Sequence, residues 1–458
     1  MAFLCNNILE KNEEYIRLFI DKLPRRIEEG RMDSVLSTLG ELHPADIADV
    51  LSKVSPKNAV ALVRLFEEEL RSDVFSELEE HEREKILAGL SAKEIAETVI
   101  ENMDTDDAAD LIGELPEGKQ EEVISAIEDT NHASDIIDLL TYDEDSAGGL
   151  MAKELIKVNI NWNVSECVVE LRKQAEEIDE VHTVYVVDDK QRLVGIISLK
   201  KLILASPETK INTLVFDDII LVKADATNME VSRIMDKYDL VVLPVVNSIN
   251  QLIGRITIDD VVDLIVEEAE KDYQMLSGIS EDVESSDSVW QLTRARFPWL
   301  LIGMFGGIAG ANVIGVFESE AIKTPALMAF IPLIVAMGGN VGIQSSALVV
   351  QGLANKTLRG SLIAKLIKEL GVGLVNGFLC AALLFLVNFF TLEETRLSIS
   401  ISLSLLSVIV FAAIFGTWIP LAFHKIKVDP ALATGPFITT ANDVFGLLLY
   451  FYICQTLL

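Results

Sequence analysis

Asp443 is the residue whose placement most demands a chemical explanation. Thr440 and Asn442 precede it, the apolar run Val444–Tyr450 follows, and neither Lys nor Arg occurs from there to Leu458. Within a membrane span a carboxylate costs roughly 2.5–3.5 kcal/mol on insertion scales. It must face a polar cavity, a cation or a packed partner, and a cation fits its neighbours best. Asp429 stands 14 residues earlier, about 21 Å away if the backbone between is helical. Pro430 and Gly435-Pro436 argue against regular helix there. Broken backbone would leave carbonyl oxygens to meet a hydrated ion. A second polar interruption, Gly338-Gly339-Asn340-Val341-Gly342-Ile343-Gln344-Ser345-Ser346, is expected to break or tighten its helix. Asn340, Gln344 and the two serines offer oxygens there, either as packing glue between helices or as the wall of a pore.

A third concentration of oxygens is acidic: Asp259, Asp260, Asp263, Glu267, Glu268 and Glu270. On a helix Asp260, Asp263 and Glu267 share a face, as do Asp259, Asp263 and Glu270 approximately. Like charges on one face repel. Either this is an ordinary solvated helix, or it is a divalent-cation site shared with an N-terminal lobe or with Asp429. In the second case bound metal would hold lobes together and metal loss would release them. That supplies a gate closed by bound cytoplasmic cation.

The donors favour a hard ion. Mg²⁺ keeps its inner waters and meets proteins through a few carboxylate and carbonyl oxygens. Cys380 and Cys454 stand apart and His424 lies in a loop, which argues against copper or zinc. No Walker lysine motif points to an ATP-driven pump, and the membrane potential would favour inward cation movement. No nucleophile, base and orienting residue gather as an enzyme would need.

The elements that must hold these residues fall into two halves. Residues 298–458 carry seven acidic and eight basic side chains, whereas residues 1–297 carry 64 and 30, within an overall charge of −33. So acidic a half would repel nucleic acid and attract cations. Five apolar stretches, roughly 298–317, 325–350, 368–390, 399–422 and 432–457, are each long enough to cross about 30 Å of hydrocarbon. Arg294, Arg296, Lys356, Arg359, Lys365, Lys368, Lys425 and Lys427 flank alternate ends. By the positive-inside rule the N-terminal half is cytoplasmic and the C-terminus extracytoplasmic. No cleaved signal segment is expected, and the four cysteines are read as free thiols.

In the first half, Leu42-His43-Pro44-Ala45-Asp46-Ile47-Ala48-Asp49 resembles Leu90-Ser91-Ala92-Lys93-Glu94-Ile95-Ala96-Glu97, with a shorter echo at Asp104–Leu111. Apolar spacings of three and four predict an array of short helices. Further on, Thr183–Asp189 and Leu193–Leu199 predict two strands before a helix. Val241–Val246 and Leu252–Ile258 repeat the plan before Asp259-Asp260-Val261-Val262.

Asp429-Pro430-Ala431, Gly435-Pro436, Thr439-Thr440 and Asp443, with Pro298-Trp299-Leu300, Phe317-Glu318-Ser319 and Gly338–Ser345, resemble the membrane signatures of the MgtE family of magnesium transporters and channels. The resemblance covers nearly the whole chain, with paired CBS modules at about 155–205 and 215–267. It implies a multidomain fold: a helical regulatory domain over 1–150, α/β tandem CBS domains over 151–267, an acidic connecting (plug) helix over 268–297 and a five-helix pore domain over 298–458. It implies a homodimer with the pore at its centre, Asp443 as the central carboxylate, Asp429 near the cytoplasmic gate, and Gly435 and Thr439 lining the same path. Relatives can carry Asn at the position of Gly435, so here any contact would come from backbone. Cytoplasmic Mg²⁺ is expected to hold the closed state. Some relatives bind ATP in the CBS cleft, with no residue assigned for it in this chain. A divalent-cation exporter with ion coupling and a membrane-tethered cation sensor are the competing readings.

Overall fold

The computed structural model describes residues 32–40, 42–176, 178, 181–279, 283, 288–354, 361–392, 394–428, 430 and 435–458, with Phe19 and Leu23. The chain divides into two compact units, Met1–Ile265 and Val266–Leu458.

The first unit opens with short helices from Met32–Leu39 to Thr130–Leu139. None exceeds ten residues, too short to be stable alone in water, so caps and a shared core must hold them. Pro44 and Pro56 each begin a helix, where a missing N–H costs nothing. Ser91 and Glu94 form a reciprocal capping box at Ala92–Thr98, and the Asp129 carboxylate accepts from Asn131 and His132 at the start of Thr130–Leu139. The repeat read in the sequence corresponds to the helices Pro44–Ser52 and Ala92–Thr98. Ile47, Leu51, Leu62, Phe75, Ile95, Leu111 and Ile136 are fully buried in one cluster.

Two α/β modules follow, each with one strand more than the sequence reading expected. Strands β1 (Ile156–Asn159), β2 (Val184–Val187) and β3 (Leu193–Ile197) form the first sheet. Strands β4 (Val222–Lys223), β5 (Val242–Val246) and β6 (Leu252–Thr257) form the second. In both, the first strand runs parallel to the second and the second antiparallel to the third. The copies agree in detail: each has a register shift near the end of its middle strand, at Val186/Val187 and Val245/Val246. Each also turns through a left-handed residue, Gln191 (φ 62°) and Asn250 (φ 63°). The added strands are short, and β4 has two residues, too little for alternation to register. Met151, Val231, Leu243 and Ile256 join the core cluster of the helical lobe, so the lobe and the second module share one hydrophobic interior.

Helix α1 (Ile258–Leu276) leaves the second module and carries the unit boundary. It is the acidic helix, and it begins ten residues before the expected 268. In the second unit, helices α2 (Val289–Val316), α3 (Ala326–Ala354), α4 (Leu362–Thr391), α5 (Thr395–Lys425) and α6 (Pro436–Leu457) are long and apolar enough to cross a membrane. The first four are longer than the apolar stretches because flanking polar turns, such as Val289–Phe297 before the first, continue the helix, whereas α6 starts at Pro436, later than the expected 432. The expected break over Gly338–Ser346 does not occur: α3 is continuous. Hydrocarbon rewards intrahelical hydrogen bonds, and the glycines are used for close approach instead. Helix α5 is the most buried of the five and packs between α3 and α4.

Candidate metal sites

The membrane site is built from glycines facing one polar stretch. Gly435, with φ 52° and ψ −126°, precedes Pro436, which starts α6. This left-handed backbone tolerates only glycine comfortably. A Cβ there would lie 2.5 Å from the Leu276 carbonyl oxygen. Reciprocally, Gly278 (φ 79°) leaves room for Pro436, whose Cγ would lie 2.6 Å from an added Cβ. The end of α1 thus abuts the start of α6. Further along α6, Thr440 fills the space of Gly306 on α2, and Asn442 fills that of Gly342 on α3, their side chains 1.8 and 1.9 Å from added Cβ positions. Gly339 faces Thr439 and Asp443, with 3.9 Å from its Cβ position to Asp443 Oδ1.

Asp443 is therefore on a helix wall against α3, half-buried, and its Oδ1 is enclosed with no hydrogen-bond partner among the described residues. Thr439 hydroxyl donates to the Gly435 carbonyl at 2.9 Å, which leaves the hydroxyl's lone pairs free for other donors or a cation. Asn340 and Gln344 are exposed on α3. Asp429 lies outside the described residues. The described part of the α5–α6 connection is not α-helical: turns follow Lys425, and Lys427 has φ 60°.

A separate acidic cleft of about 170 Å³ lies in the first unit, lined by Asp104, Asp106, Asp107, Asp259, Asp260, Thr257 and Arg255 among others. Glu154 binds the start of the helix Thr105–Gly113: its carboxylate accepts the Thr105 N–H at 3.2 Å and the Thr105 hydroxyl at 2.9 Å. Lys153 N–H in turn donates to the Thr105 hydroxyl at 2.9 Å. This brings one carboxylate oxygen each of Asp104, Asp106 and Glu154 within 4.8 Å of one another. On the other wall, the Thr257 hydroxyl donates to Asp260 at 2.5 Å.

The charges are mutually unfavourable. Burial, then the charges of Asp260, Asp107, Glu154 and Asp104, push the Asp106 carboxyl well above the usual carboxylate range. Burial pushes Asp260 up to about 6, against the Thr257 hydroxyl bond and with Asp259 and Asp107 adding. Asp263 is also raised, by burial and then by Asp259 and Asp107. Asp110 is pushed up to about 7, first by burial and next by Asp107. A divalent cation would relieve this strain, and an all-oxygen donor set suits Mg²⁺, Ca²⁺ or Mn²⁺ rather than zinc or copper.

Of the residues expected from the sequence, Asp259 and Asp260 meet in this cleft and Asp263 feels its field. Glu267, Glu268 and Glu270 are exposed further along α1, and Glu267 pairs with Lys271 at 2.7 Å. The six are spread over about three turns, roughly 16 Å of helix, too far for all of them to reach one ion. Asp104, Asp106, Asp107 and Glu154 were missed. The run Asp104-Thr105-Asp106-Asp107, three acids around one helix start, was the available signal. Nothing local marks Glu154, 49 residues from Thr105.

A narrow second cleft lies between the two α/β modules, lined by Leu155, Ile156, Val181, Tyr185, Val242 and Arg255. Tyr185 Oη and Arg255 Nε are buried there without a partner among the described residues.

Three family descriptions match the chain: "Divalent cation transporter" over residues 331–453, "MgtE intracellular N domain" over 42–145, and "CBS domain" over 147–208 and 211–267. The chain is similar to the magnesium transporter MgtE of Bacillus subtilis, 32% identical over 93% of this chain and 94% of that protein. It is 30% identical to the magnesium transporter MgtE of Thermus thermophilus, over 95% and 98% of the two chains. The solved soluble part of a magnesium transporter is 26% identical, with TM-score 0.50, covering 56% of this chain and 99% of that one.

Proposed function

The chain belongs to the MgtE family of magnesium transporters, and from that premise we propose that its ion passes Asp443 and that Mg²⁺ in the acidic cleft closes the path. It is a multi-pass membrane protein that carries Mg²⁺, and its relatives are transporters rather than enzymes. One observation carries the pathway: Asp443 Oδ1 is enclosed within a membrane helix bundle with no protein partner among the described residues. An anionic oxygen in that setting needs a cation or a hydrated ion beside it. Asn340, Gln344, Thr439 and the Gly435 backbone extend the same polar route, with Asp429 towards its cytoplasmic mouth. Flow is inward, down the electrochemical gradient.

The gate is electrostatic. Mg²⁺ bound among Asp104, Asp106 and Glu154 and faced by Asp259 and Asp260 cancels the repulsion between the helical lobe and the second CBS module. Its loss restores that repulsion and loosens the contact between them. Residues 1–150 form the regulatory lobe, 151–267 the CBS pair, 268–297 the connection and 298–458 the pore. The functional unit is a homodimer, with the N-terminus inside and the C-terminus outside. ATP is a candidate ligand of the CBS pair, with no residues assigned to it, and equilibrium binding of ATP to the full chain tests it.

The deciding experiment is Mg²⁺ flux into liposomes holding the purified protein, with Mg²⁺ varied on the cytoplasmic face and Asp443→Ala run in parallel. Flux that falls as cytoplasmic Mg²⁺ rises, and is lost in the variant, is expected. Full flux through Asp443→Ala would remove Asp443 from the path. Flux indifferent to cytoplasmic Mg²⁺ would remove the gate.

A further inference from the structure

The membrane unit holds another acidic side chain, which the pathway above does not use. Glu369 lies near the start of α4, and its Oε1 accepts the Ser345 hydroxyl of α3 at 2.6 Å. Ser345 is 5% exposed. The choice of partner is informative. Ser400, Ser404 and Ser407 on α5 donate to the carbonyl four residues back in their own helix, at 2.8–2.9 Å, the usual resting place for a helical serine in an apolar setting. Ser345 instead reaches another helix and the carboxyl oxygen of Glu369.

Helix α4 is fixed on its other side. Four and eight residues after Glu369, Gly373 and Gly377 bring α4 directly onto α5: added Cβ atoms would lie 3.1 Å from Ala413 Cβ and 2.8 Å from Leu406 Cδ1. Helix α4 is therefore a close-packed post. Helix α3 carries Ser345 towards that post and Gly339 towards Asp443. Where α3 sits along its axis decides which of its backbone atoms face the Asp443 carboxylate.

We infer that Glu369 is a positioning residue for the ion path: by holding Ser345 it fixes the height of α3 against Asp443, and so the ion discrimination of that site. The inference rests on Asp443 lining the path. Small displacements matter because selective sites depend on ligand spacing held by supporting contacts.

The test is the ratio of Mg²⁺ to Ca²⁺ flux in liposomes holding the full chain. The variants are Glu369→Leu, Glu369→Gln, Ser345→Ala and the Ser345→Ala/Glu369→Leu pair, each checked for folding by gel filtration in detergent. Glu369→Leu and Ser345→Ala are expected to lower the ratio about tenfold, and the pair no further than either alone. Glu369→Gln, which still accepts the hydroxyl, should stay within about twofold of the parent. A normal ratio in Ser345→Ala overturns the proposal, as does a Glu369→Gln as impaired as Glu369→Leu, which would give the charge itself a direct role. Glu369→Leu failing to fold leaves Ser345→Ala and Glu369→Gln to decide. Asp443→Ala separates the two readings: full flux there removes the path assignment, whatever the Glu369 variants do.

Discussion

Asp106, Asp110 and Asp260 are carboxylates that the fold holds at an electrostatic disadvantage, and this makes the metal-free protein sensitive to pH. Folded Asp260 and Asp110 titrate near 6 and 7, against a reference of about 4 in the unfolded chain. Between about pH 4 and 7 the folded state therefore binds more protons, and stability must fall as pH rises through this window. The penalty is fully present above about pH 7 and absent below about pH 4. Thermal unfolding of the full chain in detergent with a chelator should show a higher melting temperature at pH 5.5 than at pH 8. Mg²⁺ should raise the pH 8 value most. Asp106→Asn should raise the metal-free melting temperature and shrink the rise on adding Mg²⁺, because it removes both the repulsion and a ligand. A chelated melting temperature that rises with pH would contradict this. Asp443 was legible in the sequence because one charge in an apolar run has few explanations. Glu154 was not, since its role comes from a contact with Thr105 made only on folding.

At the scale of elements, glycine decides how closely the membrane helices pack. Gly416 on α5 touches the backbone of Gly342 on α3, with an added Cβ 2.5 Å from the Gly342 carbonyl oxygen. Backbone cannot move aside as a flexible side chain can, so Gly416→Ala should cost about 1–3 kcal/mol or more. Gly307→Ala on α2 meets nothing within 4 Å and should be neutral or slightly stabilising. Comparing the detergent melting temperatures of the two variants checks this directly, and equal values would deny the close α3–α5 approach. Gly435→Ala combines strain at φ 52° with collision against the Leu276 carbonyl, at a cost of roughly 1–3 kcal/mol. It should push the end of α1 from the start of α6 and leave Mg²⁺ flux several-fold less suppressed at high cytoplasmic Mg²⁺. Unchanged suppression would mean that this contact has no part in closure. The sequence marked Gly338, Gly339 and Gly342 as special, but the expected break or tightening of α3 does not occur. Spacing cannot say whether a glycine bends its own helix or admits a neighbour.

For the whole molecule, the topology proposed above, with five candidate spans among the described residues, would put the two ends on opposite sides of the membrane. In a cysteine-free background, Lys93→Cys should react with an impermeant maleimide only after cells are permeabilised, and Leu458→Cys should react from outside. The reverse pattern would invert the topology. Separate faces would also separate the two cation encounters, with sensing inside and entry outside, as control by the transported ion requires.

Composition and periodicity alone determined the layout: an acidic helical and α/β half, then five apolar helices. Burial of apolar surface and internal hydrogen bonding leave few other solutions for such patterns. They also singled out Asp443, because charge is costly in hydrocarbon. Only the tertiary structure decided which acids share a cleft, why the Gly338–Ser346 stretch stays helical, and that Glu369 answers Ser345. Those outcomes depend on contacts between residues far apart in the chain, and no local pattern encodes the distance between them.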